Sequence, residues 1–65
     1  MLTRREQQVA GLAAKGMTND EIAKKLSIAE GTTKAHLHNI YVKLGVRDRT
    51  ALALHYLDHR RRLRR

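Results

Sequence analysis

The chain has 65 residues and no cysteine, proline, phenylalanine or tryptophan, so it holds one small domain without disulfides or thiolate metal sites to reinforce it. Its 14 Lys and Arg against 6 Asp and Glu give a net charge of +8, which implies a polyanionic partner, most often nucleic acid. No apolar run approaches the roughly 18 residues of a membrane span and nothing at the start reads as a signal peptide, so the expectation is a cytoplasmic protein that makes no membrane contact.

The first element is set by Thr3-Arg4-Arg5-Glu6, which has the form of a capping box. Glu6 also suits the positive end of a helix. Val9, Leu12 and Ala13 follow at i, i+3 and i+4 and make a stripe for the core. Gly16 stands where a left-handed terminator belongs. The spacing predicts a helix from Arg4 to about Lys15. Thr18-Asn19-Asp20-Glu21 repeats the box, and Ile22, Ala23 and Leu26 give a short second helix over about Asn19 to Leu26.

Ser27-Ile28-Ala29 is then a tight connection, with Ile28 expected to point inward and set the crossing of its neighbours. The third helix starts near Glu30 or Gly31 and runs to Leu44. At about 100° per residue it has two faces. Thr33, Leu37, Ile40 and Leu44 fall on one side, the stripe that a core would bury. Ala35, His38, Asn39 and Val42 fall on the other, flanked by Lys34 and Tyr41 on one shoulder and by Thr32, His36 and Lys43 on the other. The outer face offers donors, acceptors, small apolar groups and positive charge, and no carboxylate. A major groove presents base donors, base acceptors and thymine methyls between two rims of phosphate. A short helix, a three-residue turn and a longer two-faced helix form a helix-turn-helix.

Gly45 closes the third helix, Val46 returns to the core, and Asp48 is a good N-cap for a fourth helix from Arg49 to about His59. The fourth helix is apolar on two sides. Ala51, Ala53, Leu54 and Leu57 share one arc, and Leu52 and Tyr56 share another. A terminal helix of that kind in so small a protein points to a partner surface. Arg60, Arg61, Arg62, Arg64 and Arg65 form a basic tail; without these five the net charge is +3. The division is therefore a folded domain over 1–59 and an arginine-rich tail over 60–65, whose simplest use is nonspecific attraction to phosphate.

With the helices placed, Leu2-Thr3-Arg4-Arg5-Glu6, Gly16-Met17-Thr18-Asn19-Asp20-Glu21-Ile22-Ala23, Thr32-Thr33-Lys34-Ala35-His36 and Lys43-Leu44-Gly45-Val46-Arg47 together resemble the LuxR-type helix-turn-helix. That is the effector domain of FixJ/NarL-like response regulators and of quorum-sensing regulators. The likeness covers Leu2 to about Leu57. It implies an all-α domain of four helices, regulation of transcription in bacteria as the effector part of a two-component response regulator or similar regulator, and binding to double-stranded DNA through the third helix. It also implies a homodimer formed through the fourth, with Ala51, Leu54 and Leu57 as its interface. Carried over by position, Lys34, Ala35 and His38 match base-contacting residues. Thr32, His36, Asn39 and Lys43 match residues that approach the sugar-phosphate backbone, and Tyr41 on its shoulder joins them. Glu6 matches a structural acidic residue.

Two positions depart from the family. Thr33 stands where Val is usual, so its buried hydroxyl needs a partner such as the carbonyl of Ala29 or Glu30. Ala29 stands where a capping Ser is usual, which forgoes roughly 1 kcal/mol.

Other chemistries fit poorly. There is no glycine-rich phosphate loop, no Ser/His/Asp arrangement and no paired carboxylates, so no enzyme and no cofactor are expected. His36 and His38 lie at i and i+2 and cannot share a metal. His55 and His59 are correctly spaced but lack a third ligand, Asp58 pointing elsewhere, so no metal is expected. A second reading makes the domain an interaction module that contacts RNA polymerase, with the basic tail binding nucleic acid nonspecifically. No residue resembles a phosphoacceptor, so any sensing lies outside this stretch.

Overall fold

A computed structural model describes the backbone of residues 1–63 and the side chains of residues 1–58. Four helices follow one another: α1 (Arg4–Ala14), α2 (Asn19–Leu26), α3 (Glu30–Leu44) and α4 (Arg49–Leu63). The described residues contain no strand. The all-α, four-helix architecture expected from the sequence is the one found.

The helix starts are held as the sequence predicts. Thr3 and Glu6 make a reciprocal capping box, with the Thr3 amide donating to Glu6 Oε1 at 2.8 Å and the Glu6 amide donating to Thr3 Oγ1 at 3.1 Å. Thr18 and Glu21 repeat it with the same two distances. Asp48 caps α4 by accepting from the Ala51 amide at 2.9 Å. Ala29 has no side chain with which to cap α3.

Three helices end in one and the same six-residue turn. The Met17 amide reaches back to the Leu12 carbonyl, the Ile28 amide to Ala23 and the Val46 amide to Tyr41. An inner bond from the residue before each closes the motif. The residue at the bend is left-handed each time: Gly16 at φ 95, Ser27 at φ 57 and Gly45 at φ 69. Glycine meets this demand freely, whereas serine carries a steric penalty there. This geometry also corrects the expectation for Ile28. It is half-buried and does not join the core cluster. Its amide closes the end of α2, and that closure shapes the turn.

The core is one cluster: Val9, Ala10 and Ala13 from α1, Ile22 from α2, Leu37 and Ile40 from α3, and Leu52 from α4. Helix α1 packs against all three of the others, and α2 packs against α3. Leu2, Leu12, Met17, Leu26, Tyr41, Leu44, Val46 and Tyr56 seal the edges. Thr33 is fully buried on the inner stripe of α3, and its hydroxyl donates to the Ala29 carbonyl at 3.4 Å.

Two helix ends differ from expectation. Helix α1 stops at Ala14, with Lys15 as its cap. Helix α4 continues past His59 to Leu63, because the arginines that follow are good helix formers and no Gly or Pro interrupts them. The side chains of the basic tail, residues 60–65, lie outside the described residues.

The two sides of α4 separate cleanly. Leu52 is fully buried and Tyr56 packs against the core, while Leu54 is 61% exposed and Leu57 49% exposed. Leu52→Ala should therefore cost about 2–5 kcal/mol, a large part of the stability of so small a domain. Leu54→Ala should stay within about 0.5 kcal/mol. Urea unfolding of the two variants checks the contrast, and comparable losses would contradict the assignment of the faces.

Candidate nucleic-acid interface

Rotation of α3 about its own axis decides which side chains face outward. Thr33, Leu37 and Ile40 are buried and Leu44 is half-buried, so the opposite side is forced into solvent. Lys34, Ala35, His38 and Asn39 are all exposed, and so is Val42, at 69%. Thr32 and Lys43 are exposed, while His36 and Tyr41 are half-buried on the shoulders. Every residue expected to meet bases thus lies on one solvent-facing surface, with the residues expected to meet the DNA backbone around it. Val42 adds an apolar group to that surface, of a kind suited to a thymine methyl. The helical period alone puts Val42 on this side, with Ala35, His38 and Asn39.

The two shoulders have different electrostatic partners. On one, Lys43 Nζ lies 2.8 Å from Glu6 Oε1. The Glu6 side chain is only 6% exposed and that of Lys43 is 38% exposed. The same Oε1 also accepts from the Thr3 amide. One buried carboxylate oxygen therefore serves the start of α1 and the end of α3 together. The Lys43 hydrogen bond, reinforced by the Thr3 amide and opposed by burial, lowers the Glu6 pKa below its ordinary value. Lys43 was expected to face phosphate, but its nearest anion within the fold is Glu6. No spacing rule reveals a partner 37 residues away.

On the other shoulder, Lys34, Leu37, His38 and Tyr41 line a shallow hollow of about 360 Å³ with Asn19 and Arg49. The Arg49 guanidinium donates to the Met17 carbonyl at 2.6 Å and to Asn19 Oδ1. It ties the start of α4 to the turn between α1 and α2. In the sequence Arg49 is marked only as the first residue of a helix. There was a faint signal, since a cation at a helix N-terminus opposes the helix dipole and needs a compensating partner.

The expected dimer residues lie away from this surface. Ala51 is half-buried, and Leu54 and Leu57 are exposed. Leu54 and Leu57 border a groove of about 570 Å³ between α4 and α1, with Gly11, Ala14, Lys15, Ala53 and Tyr56. Burial raises the Tyr56 pKa. No cluster of three or more His, Cys, Asp or Glu side chains suited to a metal occurs among the described residues. His59, half of the pair considered above, lies outside those whose side chains are described. No helix among the described residues is long and apolar enough to cross a membrane.

The profile of the bacterial regulatory proteins of the luxR family matches residues 1–56. The chain belongs to that family. It is 52% identical over 54 residues to the transcriptional regulatory protein LnrK of Bacillus subtilis (strain 168). The match takes in 83% of this chain and 24% of LnrK, so the chain spans about a quarter of that relative. The LuxR-type fold and this likeness make the chain a DNA-binding domain of transcription regulation.

The Glu6–Lys43 pair sets an acid limit on stability. The folded pKa of Glu6 is lowered, so the pair's contribution is complete above the ordinary carboxylate pKa of about 4.3. It fades as pH falls from there through the lowered value. Melting temperatures of the wild type and Glu6→Gln between neutral pH and strong acid should converge at the acid end. A constant gap across that range would contradict the lowered pKa.

Proposed function

We propose that this domain lays α3 in the major groove of double-stranded DNA. Lys34, Ala35 and His38 then meet base edges, and Thr32, His36, Asn39, Tyr41 and Lys43 approach the sugar-phosphate backbone. The observation that carries the reading is the rotation of α3. Burial of Thr33, Leu37 and Ile40 leaves the exposed surface with cations, imidazoles, an amide and small apolar groups. Lys34 sits in the first turns of the helix, where recognition helices reach base edges.

Two copies pair through the outer face of α4, with Ala51, Leu54 and Leu57 at the contact. The exposure of Leu54 and Leu57 beside an apolar groove supports this. Two copies related by symmetry read two half-sites about one helical turn apart. The larger setting proposed is a cytoplasmic regulator in which a signal-receiving part, such as the receiver of a two-component response regulator, controls this domain. The likeness to a transcriptional regulatory protein about three and a half times its length supports such a setting.

One set of binding measurements tests both parts, on a full site and on a half-site. Lys34→Ala should lose about 1–3 kcal/mol on the preferred sequence and blur the preference at particular base pairs. Leu54→Asp should weaken full-site binding and leave the half-site alone. The base-reading assignment fails if Lys34→Ala leaves affinity and preference as they were. The pairing assignment fails if Leu54→Asp binds the full site as the wild type does.

A further inference from the structure

Four large apolar side chains stand exposed among the described residues: Met1, Val42, Leu54 and Leu57. Met1 opens the sequence, and Leu54 and Leu57 lie on the face of α4 assigned to pairing. Val42 is the one to which neither the core nor that face gives a use. It is 69% exposed and belongs neither to the core cluster nor to the residues that seal it. A valine at a solvated helix position loses rotamer freedom and gains no burial in return.

Its position on α3 is central. At about 100° per residue, Val42 falls within about 20° of Ala35 and about 170° from the middle of the stripe formed by Thr33, Leu37, Ile40 and Leu44. Lys34 stands farther round, toward its shoulder, and His38 lies between them. Ala35, His38, Asn39 and Val42 are all exposed and are spaced i, i+3, i+4 and i+7. That is a spacing with which a helix laid in the major groove reads base edges. Seven residues carry Val42 about 10 Å along the axis from Ala35, roughly three base-pair steps of about 3.4 Å.

The valine side chain has no hydrogen-bonding atom. In the major groove its one apolar counterpart is the thymine 5-methyl group, since the other edge groups are donors and acceptors. Over cytosine or a purine edge the valine would cover polar atoms without bonding them, which costs free energy. We propose that Val42 is a fourth base-reading residue of α3, and that it selects thymine by packing against the 5-methyl group. The proposal rests on the placement of α3 in the major groove and extends its reading surface one turn beyond His38. Ala35 and Val42 then form an apolar crest, with Lys34, His38 and Asn39 supplying polar groups beside it.

The test removes methyl groups from each side of the contact. Deoxyuridine keeps the hydrogen-bonding edge of thymine and lacks its methyl group. In the duplex that the wild type selects from a random library, each thymine is replaced singly by deoxyuridine. One position per half-site should cost the wild type roughly threefold in affinity, the worth of one buried methyl group. Val42→Ala should bind the unmodified duplex more weakly, by roughly threefold or more, and be indifferent to deoxyuridine at that position. Its salt slope should stay that of the wild type, because an apolar contact releases no counterion. Its melting temperature should also stay, because Val42 takes no part in the core.

An enriched motif without thymine, or one whose every thymine can lose its methyl group at no cost, would overturn the role of Val42 and leave the base-reading assignment of α3 standing. So would a deoxyuridine effect that persists in Val42→Ala, or weaker binding by that variant with a changed salt slope. A pool with no enriched motif would overturn the base-reading assignment, and this proposal with it.

Discussion

The rotation of α3 about its own axis is the constraint on which the rest of this domain depends. That rotation is held by burying Thr33, Leu37 and Ile40 in a cluster built mainly on α1. The cluster has few members and several are small. Ala10 and Ala13 present little more than a methyl group each, which lets helices approach closely. A turn of α3 by one residue, about 100°, would carry Lys34 or His38 toward this cluster and expose Ile40. The cost of burying an unpaired charge makes that alternative inaccessible. The hydrophobic effect therefore chooses which surface α3 exposes, and that surface is the one proposed to meet DNA.

Thr33 shows how closely the arrangement is determined. A hydroxyl on the buried stripe is tolerated because the Ala29 carbonyl lies within reach, at 3.4 Å. That carbonyl also accepts the Thr33 amide at 3.1 Å, so one acceptor serves both groups. The same residue, Ala29, supplies no side-chain cap. The start of α3 is thus held by its backbone and by the turn that Ser27 and Ile28 close. Its first amides remain open to an anion, a common property of helix N-termini.

Much of this was legible in the amino-acid order. Thr3 with Glu6, Thr18 with Glu21, and Gly16 and Gly45 marked helix ends because caps and left-handed turns demand particular residue types. The two-faced pattern over Thr32 to Leu44 placed the buried stripe because that pattern has the period of the helix. Local rules carried no information about Glu6 with Lys43 or Arg49 with Asn19, which join residues far apart in the chain. Both pairs flank α3, so the charge of each shoulder became clear only once the helices were packed. Ile28 departs from expectation for a related reason. An apolar residue in a turn is expected to point inward and set the helix crossing, but the place of Ile28 is decided by the backbone bond that ends α2. The far end of α4 runs past the expected His59 because arginine favours helix, although a run of arginines has the composition of a tail.

The most direct test of α3 as a reader of sequence is selection of bound duplexes from a random DNA library by the wild-type domain at near-physiological salt. The account predicts an enriched motif, with two half-sites about one helical turn apart. An unenriched pool, with binding that vanishes as salt rises, would contradict it and would assign the affinity to charge alone.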